Sequence, residues 1–209
     1  MADRQTATGR LGFVQAFVNT VDLEDGSESL ADPNTLKAWL VARGLIGSSE
    51  AVDASDLKHA IALREAIRGV IGASSGFPIY PLDIATLNEA AGASRLRTRF
   101  GSDGRTRLEP EAGGVEGALG RIVAAVFAAT NEEDWARLKL CGSRSCRWVF
   151  YDQSRNHSSR WCRMASCGNR QKARRFRERA KTGAQLATSL PKRLLGYDIT
   201  RVRRASPRA

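Results

Sequence analysis

Four cysteines follow the pattern Cys141-x4-Cys146-x15-Cys162-x4-Cys167, and the rest of the chain contains none. Four thiolates satisfy the tetrahedral coordination that zinc adopts in structural sites. Each x4 spacing makes a loop small enough for both of its sulfurs to reach one ion. The pattern therefore predicts one Zn²⁺ per chain, with these four cysteines as its ligands.

Other uses of the same thiols fit the pattern less well. Disulfides would be spread over the fold and are rare in a reducing cytoplasm, and redox pairs usually have a CxxC spacing that is absent here. An iron–sulfur cluster also takes four thiolates and would give the protein a visible colour. A cysteine nucleophile assisted by His157 is conceivable, but four clustered thiols favour ligation. His157 is interpreted as a turn or phosphate-contact residue.

The segment between the two cysteine pairs predicts a hairpin. "RWVFYD" (147–152) has strand composition, "QSRNHSS" (153–159) has turn composition, and "RWC" returns to the second pair. The large apolar groups available to this part of the chain are few: Trp148, Phe150, Trp161 and Phe176. Metal binding must therefore supply folding free energy. We expect a four-cysteine zinc module of zinc-ribbon or treble-clef type that ends in a basic helix.

The predicted basic helix begins after Ser166, its expected N-cap, and its cationic side chains recur at helical spacing. Like charges at i, i+4 oppose helix formation, and an anionic partner would offset that repulsion. An apolar seam of Ala173, Phe176 and Ala180 follows the same period. We predict that nucleic acid is contacted by Arg160, Arg170, Lys172, Arg174, Arg175 and Arg177.

Charge is divided unevenly along the chain. Residues 1–136 carry 13 Lys+Arg and 19 Asp+Glu, a net charge of −6, whereas residues 137–209 carry 20 and 3, a net charge of +17. An acidic body joined to a basic end favours a polyanionic partner for that end. Double-stranded DNA is the first hypothesis, and an RNA-binding or ribosome-associated zinc protein is the alternative.

The acidic body, residues 1–137, is predicted to be mainly helical. One apolar stripe joins Phe13, Phe17 and Val21, and "LADPNTLKAWLVARGL" (30–45) has Asp32 as its N-cap and Gly44 as its stop. Further helices are expected from Ser55 through Val70, over 81–92, over 115–130 with Phe127 on the buried side, and over 132–139. The zinc module is placed at 138–182 and a loosely ordered basic tail at 183–209.

A small β-hairpin near 95–109 interrupts the helices, which makes the predicted fold class α+β. Leu96, Thr98 and Phe100 alternate with arginines on either side of the turn sequence Gly101-Ser102-Asp103-Gly104. The apolar set is expected to be buried. The arginines are interpreted as a solvated strand face, with phosphate binding as the less favoured interpretation.

Several classes of protein are disfavoured by the sequence. No apolar run approaches the roughly 18 residues of a membrane span, and the first apolar stretch (11–21) is broken by Gln15 and Asn19, unlike a secretion signal. We expect a cytoplasmic protein with no membrane partner. The body holds a single histidine, His59, and no paired carboxylate motif, so no enzymatic activity and no catalytic residue are predicted.

Residues 141–179 resemble the CGNR zinc-finger family, with "FYDQSRN", "RWC" and CGNR at Cys167-Gly168-Asn169-Arg170 in order. The body is similar to the ABATE domain in "FVNTVD" (17–22), "LADPNTLKAWL" (30–40) and "ALREAIR" (62–68), although "LGFVQAF" lacks the acidic residue of the usual "LALDF". The resemblance implies a bacterial, stress-related transcription regulator with a zinc-dependent DNA-binding end, associated with the nucleoid if it binds DNA. A homodimer and a small-molecule effector of the body are both left open.

Overall fold

The structure is a computed structural model that describes residues 5–189. Its chain forms two compact units, divided between Gly168 and Asn169. In the first unit the helices are α1 (Gly9–Val18), α2 (Pro33–Val41), α3 (Ala54–Ala73), α4 (Pro81–Ala93) and α5 (Gly114–Thr130). The strands are β1 (Val21–Asp22), β2 (Ser27–Glu28), β3 (Leu96–Phe100), β4 (Thr106–Pro110), β5 (Leu138–Leu140) and β6 (Val149–Tyr151).

The helices of the first unit enclose one apolar core. Helices α1, α2, α3 and α5 present buried residues to it at helical spacing, whereas α4 contributes only partly buried ones. Helix α5 packs against α1 and α4, and α3 packs against α4. Fully buried side chains in this core include Val14, Phe17, Leu36, Leu40, Leu63, Ile67 and Ile122. The expected mainly helical fold class with small β elements is therefore confirmed.

The predicted helix boundaries hold where local capping chemistry determines them. The Asp32 carboxylate accepts a hydrogen bond from the Thr35 amide (2.8 Å), and the Asp32 amide donates to the Thr35 hydroxyl (2.9 Å). Gly44 ends the next turn with a φ of 65°, which favours glycine. Helix α3 is capped by Asp53 and not by Ser55, because the Asp53 carboxylate accepts from two main-chain amides of the first turn.

Two apolar residues expected on helix stripes lie elsewhere. Val21 lies in β1, since α1 ends at Val18 and the chain turns into a short antiparallel pair. Phe127 is exposed, and Ala129 is buried in the last turn of α5 instead. Residues 133–137, expected within a last short helix, form a 3-10 turn that leads into β5.

Strands β3 and β4 form the predicted hairpin in antiparallel register, with Arg99 opposite Arg107. Its expected buried face was wrong: Phe100 is 81 % exposed, and only Leu96 and Leu108 are partly covered. Strand β4 contacts α5 and Leu96 packs against the helical core, while the end of the hairpin that carries Phe100 is exposed. Carboxylates pair with its arginines, as Glu111 does with Arg97 at 2.9 Å.

A second antiparallel pair, β5 with β6, brings the cysteine region onto the helical body. Leu138, Leu140 and Val149 lie in the same buried cluster as the helices. The Asn19 side chain, which follows α1, donates to the Val149 carbonyl (2.7 Å) and accepts from its amide (2.9 Å). The Ser75 hydroxyl, just after α3, accepts from the Leu140 amide (2.8 Å). The division of the chain at residues 137 and 138 stays a prediction.

Arg68, near the end of α3, is almost fully buried, which is rare for a charged side chain. Its guanidinium donates to the main-chain carbonyls of Val18 (2.6 Å) and Arg147 (2.8 Å) and to the Glu65 carboxylate (3.0 Å). Burial lowers the pKa of Arg68, while the attraction of Glu65 opposes that shift. The side chain therefore joins the end of α1 to the segment that follows Cys146.

Arg64 lies one turn earlier on α3 and is also buried. It donates to the carboxylates of Glu28 (2.7 Å) and Glu65 (2.9 Å) and to the Thr20 hydroxyl (3.2 Å). These contacts hold the β1–β2 pair against α3. Neither arginine was expected to be buried from the sequence.

Replacing Arg68 by Met is expected to destabilise the first unit by about 2–4 kcal/mol, because two buried carbonyls would lose their donor. Urea unfolding followed by circular dichroism would measure this as a lower midpoint with an unchanged slope. Arg105→Met, at an exposed position of the β3–β4 turn, is the control and should change stability by less than about 0.5 kcal/mol. Equal midpoints for the two variants would show that the Arg68 contacts contribute no stability.

Candidate metal centre and basic helix

The first cysteine pair lies in the turn between two paired strands. Cys141 follows β5 and Cys146 comes shortly before β6. The Cys141 amide donates to the Trp148 carbonyl (2.9 Å), and the Cys146 and Arg147 amides both donate to the Ser143 carbonyl (3.0 and 3.1 Å). This tight turn points both sulfurs to one side, as the x4 spacing predicted.

The second pair is positioned by a loop and a single π-helical turn. Residues 152–161 run from β6 to Cys162, and the Arg160 carbonyl accepts from the Gly142 amide (2.9 Å), which ties the two pairs together. Cys167 lies in the π-helical turn Met164–Gly168. A Cβ atom at Gly168 would overlap the Met164 sulfur, so a larger residue at this position would displace that side chain from the turn.

The four sulfurs converge on one buried point. They all lie within 4.8 Å of one another, and each cysteine is at most 3 % exposed. The Cys146–Cys162 and Cys162–Cys167 sulfur distances are 3.6 and 3.7 Å, and all four cysteines are free thiols. A regular tetrahedron with Zn–S bonds of about 2.3 Å has edges of about 3.8 Å. The donor set and its spacing therefore fit one zinc ion and exclude disulfides in this arrangement.

The thiols of the cluster alter one another's protonation. Hydrogen bonds from Cys146 and Cys162 lower the pKa of the Cys141 thiol to about 4. The contacts with Cys141 and Cys146, together with burial, raise the pKa of Cys162. Without a cation the cluster favours one thiolate at the expense of its neighbours, whereas a divalent ion deprotonates all of its thiol ligands.

The predicted hairpin of the zinc module forms with a different partner strand. The "VFY" part of 147–152 is β6, but it pairs with β5, which precedes Cys141, and not with the returning "RWC" segment. Pairing across the first cysteine turn is local and places Val149 in the body's core. The expected hairpin within the 15-residue spacer was therefore wrong, although strand and turn composition were each assigned to the right residues.

A buried ion pair shapes the loop 152–161. The Asp152 carboxylate accepts from Lys139 Nζ (2.8 Å) and from the amides of Ser154 (2.9 Å) and Ser159 (3.0 Å). Burial alone would raise the pKa of Asp152, but these donors outweigh it and hold the pKa well below its usual range. The sequence signal for this loop anchor is the Asp-x-Ser turn pattern at Asp152 and Ser154.

Of the other residues predicted to matter near the metal centre, His157 and Arg160 are exposed and Ser166 is partly buried. His157 has a φ of 47° in the turn of this loop, its carbonyl accepts from Lys139, and it lies outside the cysteine cluster. Arg160 is exposed beside Trp161, with 5.9 Å between the guanidinium carbon and the ring centroid. Ser166 lies inside the π-helical turn, so it does not stand before the helix as the expected N-cap.

The second unit contains α6 (Asn169–Ser189), which begins two residues after Cys167. The helix continues past residue 183, where a tail was expected to start, and residues 190–209 of that expected tail lie outside the described residues. Phe176, assigned to the apolar seam, is 74 % exposed. Exposed side chains on this helix include Arg170, Lys172, Arg174, Arg175 and Arg177.

Two arginines of α6 bond to groups within the same helix. Arg174 pairs with Glu178 (2.8 Å), and Arg177 donates to the Ala173 carbonyl (3.3 Å). Glu178 is the one acidic residue among seven Lys and Arg between residues 169 and 181. The structure assigns no nucleic-acid contact to Arg160 or to these helix residues, so their role stays a prediction.

The site and fold define a protein class in which a four-cysteine zinc module follows a helical body. Residues 137–180 match the CGNR zinc finger. Residues 12–132 match the ABATE family, described as "Putative stress-induced transcription regulator". Because the second match covers more than half of the chain, the protein belongs to the ABATE family and carries a CGNR zinc finger.

Three further findings bear on the class of protein. The search of curated proteins returned no match. Neither family description names an enzymatic activity. Among the residues that the structure describes, no helix has the length and apolar character needed to cross a bilayer.

Replacing Cys162 by Ser is expected to abolish zinc binding and to lower the melting temperature of the first unit by roughly 5–10 °C. Cys162 lies close to two other sulfurs, and the strands beside the cluster contribute to the body's core. Native mass spectrometry would give the zinc content, and thermal unfolding by circular dichroism the stability. Ser158→Ala, at an exposed position of the loop, should leave both unchanged. Zinc loss without a shift in melting temperature would show that the metal centre and the core are energetically independent.

Replacing Asp152 by Asn is expected to destabilise the protein by about 3 kcal/mol at neutral pH, because Lys139 would keep a buried, unpaired charge. Since folding depresses the pKa of Asp152, its contribution is complete above the unfolded value of about 4 and is lost as the pH falls below it. The stability difference between wild type and variant should therefore shrink from pH 6 to about pH 3 in urea titrations. Zinc loss at low pH affects both proteins equally, so it cancels in the stability difference between them. A stability difference that does not change with pH would contradict this account.

Proposed function

We propose that this chain is a zinc-dependent DNA-binding transcription regulator in which α6 contacts the DNA backbone. The observation that carries the proposal is the exposed cationic surface of α6, where seven Lys and Arg face a single acidic residue between residues 169 and 181. Like charges at helical spacing oppose the helix. Contacts with DNA phosphates would offset that repulsion.

Neutralisation by the metal centre does not account for this charge. A zinc ion with four thiolates carries a formal charge of −2, so the +17 of residues 137–209 falls only to about +15. The body, at −6, would be repelled by a polyanion. Both charges support a nucleic-acid contact restricted to the C-terminal part of the chain.

The metal centre would support the DNA contact by fixing the backbone at the start of α6. Cys167, as a zinc ligand, precedes Asn169 by two residues, and Gly168 between them lies in the π-helical turn. Zinc held by Cys141, Cys146, Cys162 and Cys167 would fix the backbone from which the helix begins. Zinc supplies folding free energy here and no catalytic chemistry.

The dimensions of the helix suit duplex DNA. Residues 170–181 span about 16 Å at 1.5 Å per residue, and the major groove of B-DNA, about 12 Å wide, admits a helix. The proposed contacts are made by Arg160, Arg170, Lys172, Arg174, Arg175 and Arg177. Arg is suited to these contacts, since its planar fork binds phosphate or a guanine edge with two hydrogen bonds. The helical body would then sense a ligand or mediate dimerisation.

Contact by four or five phosphates predicts a slope of about −4 to −5 for log K against log[salt] on duplex DNA. Replacing Arg170, Arg174 and Arg177 together by Gln should make that slope less negative by about 2.7, since each phosphate contact contributes about 0.9. Fluorescence anisotropy with a labelled duplex over a range of salt concentrations would measure it. Zinc content and circular dichroism would verify that the variant is folded.

The matched control replaces Arg97, Arg99 and Arg107 of the β3–β4 hairpin by Gln, which removes the same number of exposed positive charges. It should leave the slope unchanged. A change in the hairpin variant alone would place the contact on the hairpin. Tighter binding to duplex or single-stranded RNA than to DNA at equal salt would favour the RNA-binding alternative over a DNA-binding regulator.

A further inference from the structure

Helices α3, α4 and α5 enclose an open cavity of about 320 Å³ on the helical body. Its buried apolar floor consists of Leu63 and Leu119, and Ala62, Ala90 and Ala93 line it nearer the surface. The volume lies at the small end of the range for ligand pockets, about 300–1,000 Å³. The residues that line the cavity lie between positions 58 and 119, before the first cysteine, and none of them is assigned above to zinc or nucleic acid.

Four titratable side chains from the three helices surround the mouth of this cavity. Lys58 and His59 lie on α3, Glu89 on α4 and Glu116 in the first turn of α5. All four are exposed, and none of them makes a hydrogen bond or ion pair within residues 5–189. In contrast, Arg64 and Arg68 of α3 form hydrogen bonds within the protein, to Glu28 and to the Val18 carbonyl. The rim therefore offers free polar groups above an apolar floor, which is the usual composition of a small-molecule site.

The net charge of the rim indicates the charge of the ligand that it would bind. With His59 neutral, two carboxylates face one ammonium group, so the rim has a net charge of −1. Glu116 lies in the first turn of α5, where the helix dipole favours a negatively charged group. A ligand must then present a positive group to the carboxylates and an apolar body to the floor.

We propose that this cavity binds a small amphipathic ammonium compound, with its ammonium group between Glu89 and Glu116 and its apolar body against Leu63 and Leu119. Lys58 and His59 are left to contact an acceptor group where the ligand has one. The proposal gives the body's ligand-sensing role a location and a ligand chemistry. It relies on the proposed function only in treating the ligand as an effector.

Binding is tested on the full-length zinc-loaded protein, without nucleic acid, by ligand-observed and ¹⁵N-detected NMR. The probes are 2-phenylethylamine and isopentylamine, compared with the matched acids 3-phenylpropionate and 4-methylpentanoate. Both amines should bind and shift amide signals of α3, α4 and α5, and the acids should not. Absence of binding by both amines, or equal binding by an amine and its matched acid, would overturn the proposal.

Variants locate the binding in the cavity. Ala93→Phe fills it from an exposed position and should abolish amine binding, whereas Ala85→Phe, at an exposed position of the same helix outside the cavity, should have no effect. Glu89→Gln with Glu116→Gln should raise the dissociation constant about tenfold, as two partly screened ion pairs are lost. Glu109→Gln, on the hairpin, is the matched carboxylate control. Amine binding that survives Ala93→Phe would place the site elsewhere, and none of these results depends on whether α6 binds DNA.

Discussion

The buried guanidinium of Arg68 is the contact on which the arrangement of the first unit depends. Its donors bind the carbonyl of Val18 at the end of α1 and the carbonyl of Arg147 next to Cys146. Removing a charged group from water is costly unless its hydrogen bonds are satisfied, and here the end of α1 and the cysteine turn supply the acceptors. The position of the first cysteine pair is thus determined by the body's core as well as by the metal.

This contact makes the zinc centre part of the folding unit that the helices form. A module with few large apolar groups cannot stabilise itself, and here its two strands bury Leu138, Leu140 and Val149 in the helical core. The Asn19 side chain makes the hydrogen bonds that a neighbouring strand would make, because it bonds to both the carbonyl and the amide of Val149. Zinc binding and core packing therefore stabilise the same structure, and the free energy of one adds to the other.

Sequence reasoning identified the features that depend on local chemistry. The Asp32 cap, the Gly44 stop, the β3–β4 turn and the cysteine set each follow from residue types at short, fixed spacing. It failed where distant segments decide the outcome. The strand partner of β6, the burial of Arg68 and the exposure of Phe100 depend on which surfaces meet, and neither periodicity nor composition encodes that. Gln15 and Asn19, which the sequence offered only as breaks in an apolar run, bond to Val149 in the structure.

Helix α3 connects the proposed effector cavity with the metal centre inside one unit. Lys58 and His59 lie in its first half at the cavity rim, while Arg68 near its end and Ser75 just beyond it bond to the segments that flank the first cysteine pair. A ligand that displaced this helix as one body, over its length of about 30 Å, would also change the contacts at its other end. Coupling of this kind is reciprocal: a ligand that alters the cysteine turn has its own affinity altered by zinc. Arg68, which donates to the Arg147 carbonyl beside Cys146, is the contact through which such a displacement would reach the cysteine turn.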